Sequence, residues 1–141
     1  MTRLLFLIAM LVVRAAGPAL ADVPAALADP YLRIQVALAN DKVDGVQASA
    51  LALAAEAERL GTPAEALRAA ARSLASARDL NAARTAFGPL SDALIAYANR
   101  SGLGPLKVAF CPMLKKSWVQ KPGDIANPYF GSQMLRCGSF K

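Results

Sequence analysis

The sequence predicts an all-α fold: an up-down four-helix bundle, followed by an irregular Cys/Met tail, rich in aromatics, glycine and proline, that packs on it. Three observations carry this. Residues 29 to about 100 are dominated by alanine, which loses no rotamer freedom in a helix. Apolar residues there recur at spacings of three and four, as in Phe87, Leu90, Leu94 and Ala98, and so line one helix face. After Gly104-Pro105 alanine nearly vanishes, and Pro112, Pro122 and Pro128 appear among Phe110, Trp118, Tyr129, Phe130 and Phe140. Prolines so placed argue against regular helix.

The chain opens with a pattern that reads as a cleavable secretory signal over residues 1–21. Arg3 supplies positive charge, Leu4 to Val13 is an apolar run of ten residues, Gly17-Pro18 breaks it, and Ala19-Leu20-Ala21 offers a small-x-small cleavage site. The run is too short to span a bilayer, which takes about 20 residues, so no stable membrane insertion is expected after cleavage. Export to the periplasm follows as an expectation. The remainder, 22–141, is expected to be one domain, with its tail from about 105 to 141.

Within that domain Asp29-Pro30 predicts the first helix start, by an N-cap followed by a proline at the first helical position. Tyr31, Ile34 and Leu38 continue it to about Asn40. Asp41 is expected to cap a second helix that stops at Gly61. Thr62-Pro63-Ala64-Glu65 reads as a capping box for a third, with Leu67, Ala71 and Leu74 on its apolar stripe. Asp79 is expected to cap a fourth helix that ends at Ser101-Gly102, with a kink at Gly88-Pro89. With caps and stripes of their own, the helices are expected to fold without the tail. Leu106 to Cys111 reads as a short strand and the rest of the tail as ordered loop.

Composition removes several function classes. There is no histidine, which excludes Ser-His-Asp and Cys-His nucleophiles and His-based metal sites. The full chain carries 16 basic and 10 acidic residues. The basic ones read as spread along the helices, without the basic and aromatic pattern of nucleic-acid binding, so no nucleic-acid partner is expected.

Soft donors remain. Outside the leader the only cysteines and methionines are Cys111, Met113, Met134 and Cys137. Thiolate and thioether suit Cu(I), with Ag(I) as the related alternative, better than any hard ion. In extended backbone Cys111-Pro112-Met113 would put both sulfurs on one face, and in a helical turn Met134-Leu135-Arg136-Cys137 would do the same. A Cys111–Cys137 disulfide is the open alternative, and the usual fate of two cysteines in an exported chain. It would close a loop of about 27 residues and contribute on the order of 3.5 kcal/mol. Trp118 has two readings, a cation–π partner of a bound ion or an anchor of the tail. Asn127 to Gly131 read as turn architecture. No paired carboxylates or Cys-x-x-Cys stand out, so no catalysis is expected.

The order Cys111-Pro112-Met113, Trp118, Ile125, Asn127-Pro128-Tyr129-Phe130-Gly131 and Met134-Leu135-Arg136-Cys137-Gly138 resembles the bacterial domain-of-unknown-function family 3347. Phe87 to Leu94 is similar to that family as well, and the resemblance covers roughly residues 29–140. It implies an exported domain that stands alone or accompanies periplasmic adaptor subunits of heavy-metal efflux systems, with copper as the expected cargo. The family's ligand positions fall on Cys111, Met113, Met134 and Cys137. The chain departs from the pattern in its short Leu114–Ser117 segment and in having Ala109-Phe110 where some members carry a histidine. The expected function is therefore Cu(I) sequestration or delivery to an efflux system. The alternative is a disulfide-stapled, non-catalytic module that docks on an efflux adaptor or another envelope protein.

Overall fold

A computed structural model describes residues 21–141; the leader, apart from Ala21, lies outside them. The described residues form four helices, α1 (Ala25–Ala39), α2 (Val46–Leu60), α3 (Glu65–Ala75) and α4 (Leu80–Ser101), and three strands, β1 (Lys107–Cys111), β2 (Lys116–Gln120) and β3 (Ser139–Phe140). The strands make one antiparallel sheet in the order β2-β1-β3. The all-α expectation is thus corrected: the tail is a sheet with loops, and the fold mixes α and β.

The sheet changes how the helices close. Each helix packs mainly on its sequence neighbours, α1 on α2, α2 on α3 and α3 on α4. The fourth seam is filled by β2, which packs on both α4 and α1. An aromatic ladder crosses it. Tyr31 of α1 stacks on Phe87 of α4 at 5.1 Å between ring centroids, Phe87 meets Tyr129 at 5.7 Å, and Tyr129 meets Trp118 edge-on at 6.1 Å. The Tyr31 hydroxyl bonds Ser91 Oγ at 2.7 Å and accepts the Val119 amide at 3.0 Å. Burial pushes its pKa far up, above any pH at which the fold is expected to be used.

Bundle and sheet share one core. Leu27, Ile34, Leu53, Leu67, Leu74, Phe87, Leu90 and Leu94 are contiguous with Ala109, Cys111, Trp118 and Val119. The sequence hid β2 because Trp118, Val119 and Gln120 are buried in succession, which erases the alternation of a half-exposed strand. β3 is too short to show any period.

Several helix boundaries differ from expectation. α1 begins at Ala25, one turn before Asp29, because the Pro24 carbonyl accepts the Leu27 and Ala28 amides at 2.9 Å and Leu27 joins the core. Pro30 therefore lies inside the helix. Asp41 does not cap α2; it has a positive φ of 57° and α2 starts after Gly45. Thr62–Ala64 forms a 3-10 turn without a side-chain cap, and Glu65 pairs with Arg68 instead, so no capping box forms. Asp79 does cap α4, accepting the Ala82 amide at 2.8 Å. α4 runs unbroken through Pro89.

The charge reading also changes. Between 105 and 141 stand Lys107, Lys115, Lys116, Lys121, Arg136 and Lys141 against Asp124 alone, so the positive charge gathers on the tail. No helix among the described residues is long and apolar enough to cross a membrane.

Candidate functional site: the cysteine pair

Cys111 is the last residue of β1, and the inward alternation that buries Ala109 also buries Cys111 completely. The chain turns through Pro112–Lys115, helped by the positive φ of Lys115 (52°), and returns as β2 with Lys116 opposite Cys111. Cys137 arrives from the far end of the tail. Its amide bonds the Met134 carbonyl at 3.0 Å and its carbonyl accepts Asn127 Nδ2 at 2.8 Å. The two sulfurs stand 3.0 Å apart, so the tail does fold back as both readings of the cysteines require.

Asn127 is the hub of this arrangement. Fully buried, it accepts the Tyr129 amide at 2.9 Å through Oδ1, and its own amide bonds the Leu135 carbonyl at 2.8 Å. Gly138 is required beside Cys137. With φ at 139°, a Cβ there would lie 2.8 Å from the Trp118 ring and 3.0 Å from the Phe110 carbonyl.

The two thiols differ. Burial pushes the Cys111 thiol up, but hydrogen bonds from Cys137, the Leu114 and Met113 amides and the Asn127 side chain outweigh it and hold the thiol below its ordinary value. The hydrogen bond to Cys111, burial and the charge on Cys111 push Cys137 up. Of the two, Cys111 is therefore the more readily ionised and Cys137 the less. The more acidic thiol is the sealed one, and Cys137 is half-buried.

The methionines are placed less regularly than their spacing suggested. Met113 is not on the strand with Cys111; it sits in the β1–β2 turn and is 64 % exposed. Met134 follows a 3-10 turn (Gly131–Gln133) at a bend, half-buried. Cys111 and Met113 therefore do not share a strand, whereas Met134 to Cys137 closes a single turn through the bond from the Cys137 amide to the Met134 carbonyl. Among the described residues no three His, Cys, Asp or Glu side chains converge as metal ligands. Any ion at the cysteines would draw further donors from thioethers or the backbone.

Trp118 is fully buried, with its indole N–H donated to Gln120 Oε1 at 2.9 Å. These contacts fit the anchor reading. The cations over rings in the tail are lysines, with Lys116 over Tyr129 at 5.1 Å and Lys141 over Phe110 at 4.6 Å.

Residue spacing did not reveal Asp41 and Arg84. Arg84 donates to Asp41 Oδ1 at 2.6 Å and to the carbonyls of Leu38 at 2.8 Å and Pro128 at 2.9 Å, while Asp41 accepts the Ser132 amide at 3.0 Å. They clamp the loop that carries Cys137 to α4 and to the α1–α2 corner. The one local signal, Asp41 at a helix break, pointed instead to a cap of the second helix.

No family model, curated protein or solved structure matches the chain. The resemblance to family 3347 accordingly rests on the tail motif and the Phe87 to Leu94 segment alone.

Proposed function

We propose that the chain binds a soft monovalent ion, Cu(I), at Cys111 and Cys137, and holds it or passes it on without catalysis. The observation that carries this is the pairing of the two sulfurs at 3.0 Å, with the Met113 and Leu114 amides directed at Cys111 and holding its thiol below the ordinary value. Amide donors around a sulfur stabilise the charged, metal-binding form. Sulfur–metal bonds of about 2.3 Å need the two sulfurs at roughly 3.8–4.6 Å, depending on the bond angle. Loading must therefore open the pair by about 0.8–1.6 Å. The exposed Met113, two residues along a turn, is free to close over the ion, and Met134 precedes Cys137 on the same loop. Export and an efflux adaptor as receiver complete the proposal, supported by the leader pattern and the motif.

A second reading is favoured by the 3.0 Å separation itself. From there a disulfide of about 2.05 Å needs a closure of only about 1 Å, a movement comparable with that needed to admit an ion. The chain would then be a stapled interaction module. Two measurements separate the readings: free thiols in protein taken directly from the exported compartment, and Cu(I) titration of reduced mature protein against a chromophoric chelator. One Cu(I) per chain, lost in Cys111→Ser and in Cys137→Ser, supports the first reading. A double Cys→Ser variant that competes as well as wild type overturns it.

A further inference from the structure

Away from the cysteines, a cleft of about 680 Å³ opens between α1 and the loop that follows β2. Its size is that of a site for a small organic molecule. Its walls are of two kinds. Leu32 and Val36 of α1 and Pro122 line it, and Val36 is 53 % exposed. Arg33, Lys42 and Lys121 stand around these apolar residues.

None of the three cations has a carboxylate partner among the described residues. The ion pairs there are Arg59–Glu56, Arg68–Glu65, Arg72–Glu58, Arg84–Asp41 and Arg136–Asp124. Arg33 reaches only Ser49 Oγ, at 3.5 Å. Two carboxylates also line the cleft. Asp124 is occupied by Arg136 at 3.3 Å, which leaves Asp29 as the single uncommitted acid against three cations. An apolar surface ringed by uncommitted positive charge complements a molecule with an apolar body and an anionic head.

We propose that this cleft is a binding site for a small amphipathic anion, an alkyl or aryl carboxylate or its sulfonate or phosphate equivalent. The aliphatic part lies against Leu32, Val36 and Pro122, and the head is held by Arg33, Lys42 and Lys121. The wall is preorganised. The Gln35 side chain donates to the Ala126 carbonyl at 2.7 Å, and Gln120 bonds the Asp124 carbonyl at 2.9 Å and the Ala126 amide at 3.1 Å. Binding therefore need not order the loop, which lowers its cost. The proposal is independent of the metal reading, since none of its residues is a sulfur donor.

The test is an amide-shift titration of isotope-labelled mature protein with submicellar decanoate, beside acetate and decyltrimethylammonium. Decanoate is expected to shift amides of residues 29–42 and 120–126, with acetate binding at least tenfold more weakly for want of the apolar body. The Arg33→Glu/Lys121→Glu variant changes only exposed side chains and is expected to keep the wild-type thermal midpoint while losing at least tenfold in decanoate affinity. Decyltrimethylammonium binding as tightly as decanoate would overturn the proposal. So would an unchanged affinity in the folded charge-reversed variant, or decanoate shifts confined to residues outside the cleft.

Discussion

Arg84 and Asp41 meet at 2.6 Å directly beneath Gly131, so closely that the backbone there leaves no room for a side chain. A Cβ at Gly131 would collide with both the Asp41 carboxylate and the Arg84 guanidinium, and its φ of 59° disfavours any L-residue. Gly131→Ala is expected to destabilise the protein by roughly 1–3 kcal/mol, by backbone strain and by displacing the clamp. Urea unfolding measured by Trp118 fluorescence checks this; an unchanged midpoint would show that the clamp does not hold the loop.

The same clamp predicts an acid response. Hydrogen bonds from Ser132 and Arg84 hold the Asp41 carboxyl down at about 2, against an ordinary 3.8. A depressed folded value means that the contribution is complete above the ordinary value and is lost as pH falls through the folded one. Wild-type stability should therefore decline more steeply than that of Asp41→Asn between pH 4 and pH 2. Thermal midpoints recorded across that range decide it, and parallel curves would count against the clamp.

Tyr31→Phe tests the seam between α1 and β2. The substitution keeps the ring stacked on Phe87 but leaves the buried Val119 amide without its acceptor. Loss of an intramolecular partner with the other group still buried costs about 1–3 kcal/mol. Removing Ser91 Oγ alone, in Ser91→Ala, should cost less, because the Tyr31 hydroxyl keeps its bond to Val119. Denaturant midpoints of the two variants give the comparison.

Alkylation distinguishes the two cysteines. In reduced apo protein Cys137 is half-buried and Cys111 sealed. Iodoacetamide is expected to label Cys137 first, and Cys111 only at the rate of unfolding, despite the lower pKa of Cys111. Mass spectrometry of peptides quenched at intervals reads the order. Faster labelling of Cys111 would mean that the β1–β2 turn opens readily.

Exchange of amide hydrogens tests whether tail and bundle are separable. Because Trp118 and Val119 lie in the core that also holds Leu27, Phe87 and Leu94, the amides of β2 should exchange with those of the helices even in reduced apo protein. The turn at Pro112–Lys115 and the exposed loop 121–124 should exchange sooner. If β2 loses protection while the helices keep theirs, the bundle stands alone, as the sequence suggested.

The sequence was legible where local chemistry decides structure. Asp79 and Gly61 mark real helix ends because a cap and a stop act within one turn. The tail's aromatics pack as their composition implied, since Trp118 and Tyr129 have few ways to hide except against the helices. Where distant residues compete, local signals failed. Thr62 and Glu65 spell a capping box, yet Glu65 is taken by Arg68. Asp41 reads as a cap, yet Arg84 and Ser132 claim it from 43 and 91 residues away. Cys111 and Cys137 meet as both readings of the tail require. The placement of Met113 was not foreseen, because a turn rather than a strand carries it.

The bond between Tyr31 and Val119 spans 88 residues, and this has a consequence for biogenesis. The three helix–helix seams join sequence neighbours and can zip up early, but the seam between α4 and α1 waits for the final third of the chain. Until β2 arrives, Tyr31, Ile34 and Phe87 present an apolar strip to any neighbour. A nascent chain paused before residue 116 is thus a substrate for holding chaperones, and a ribosome-stalled or prematurely terminated product ending near Gly104 should aggregate rather than persist as a miniature bundle.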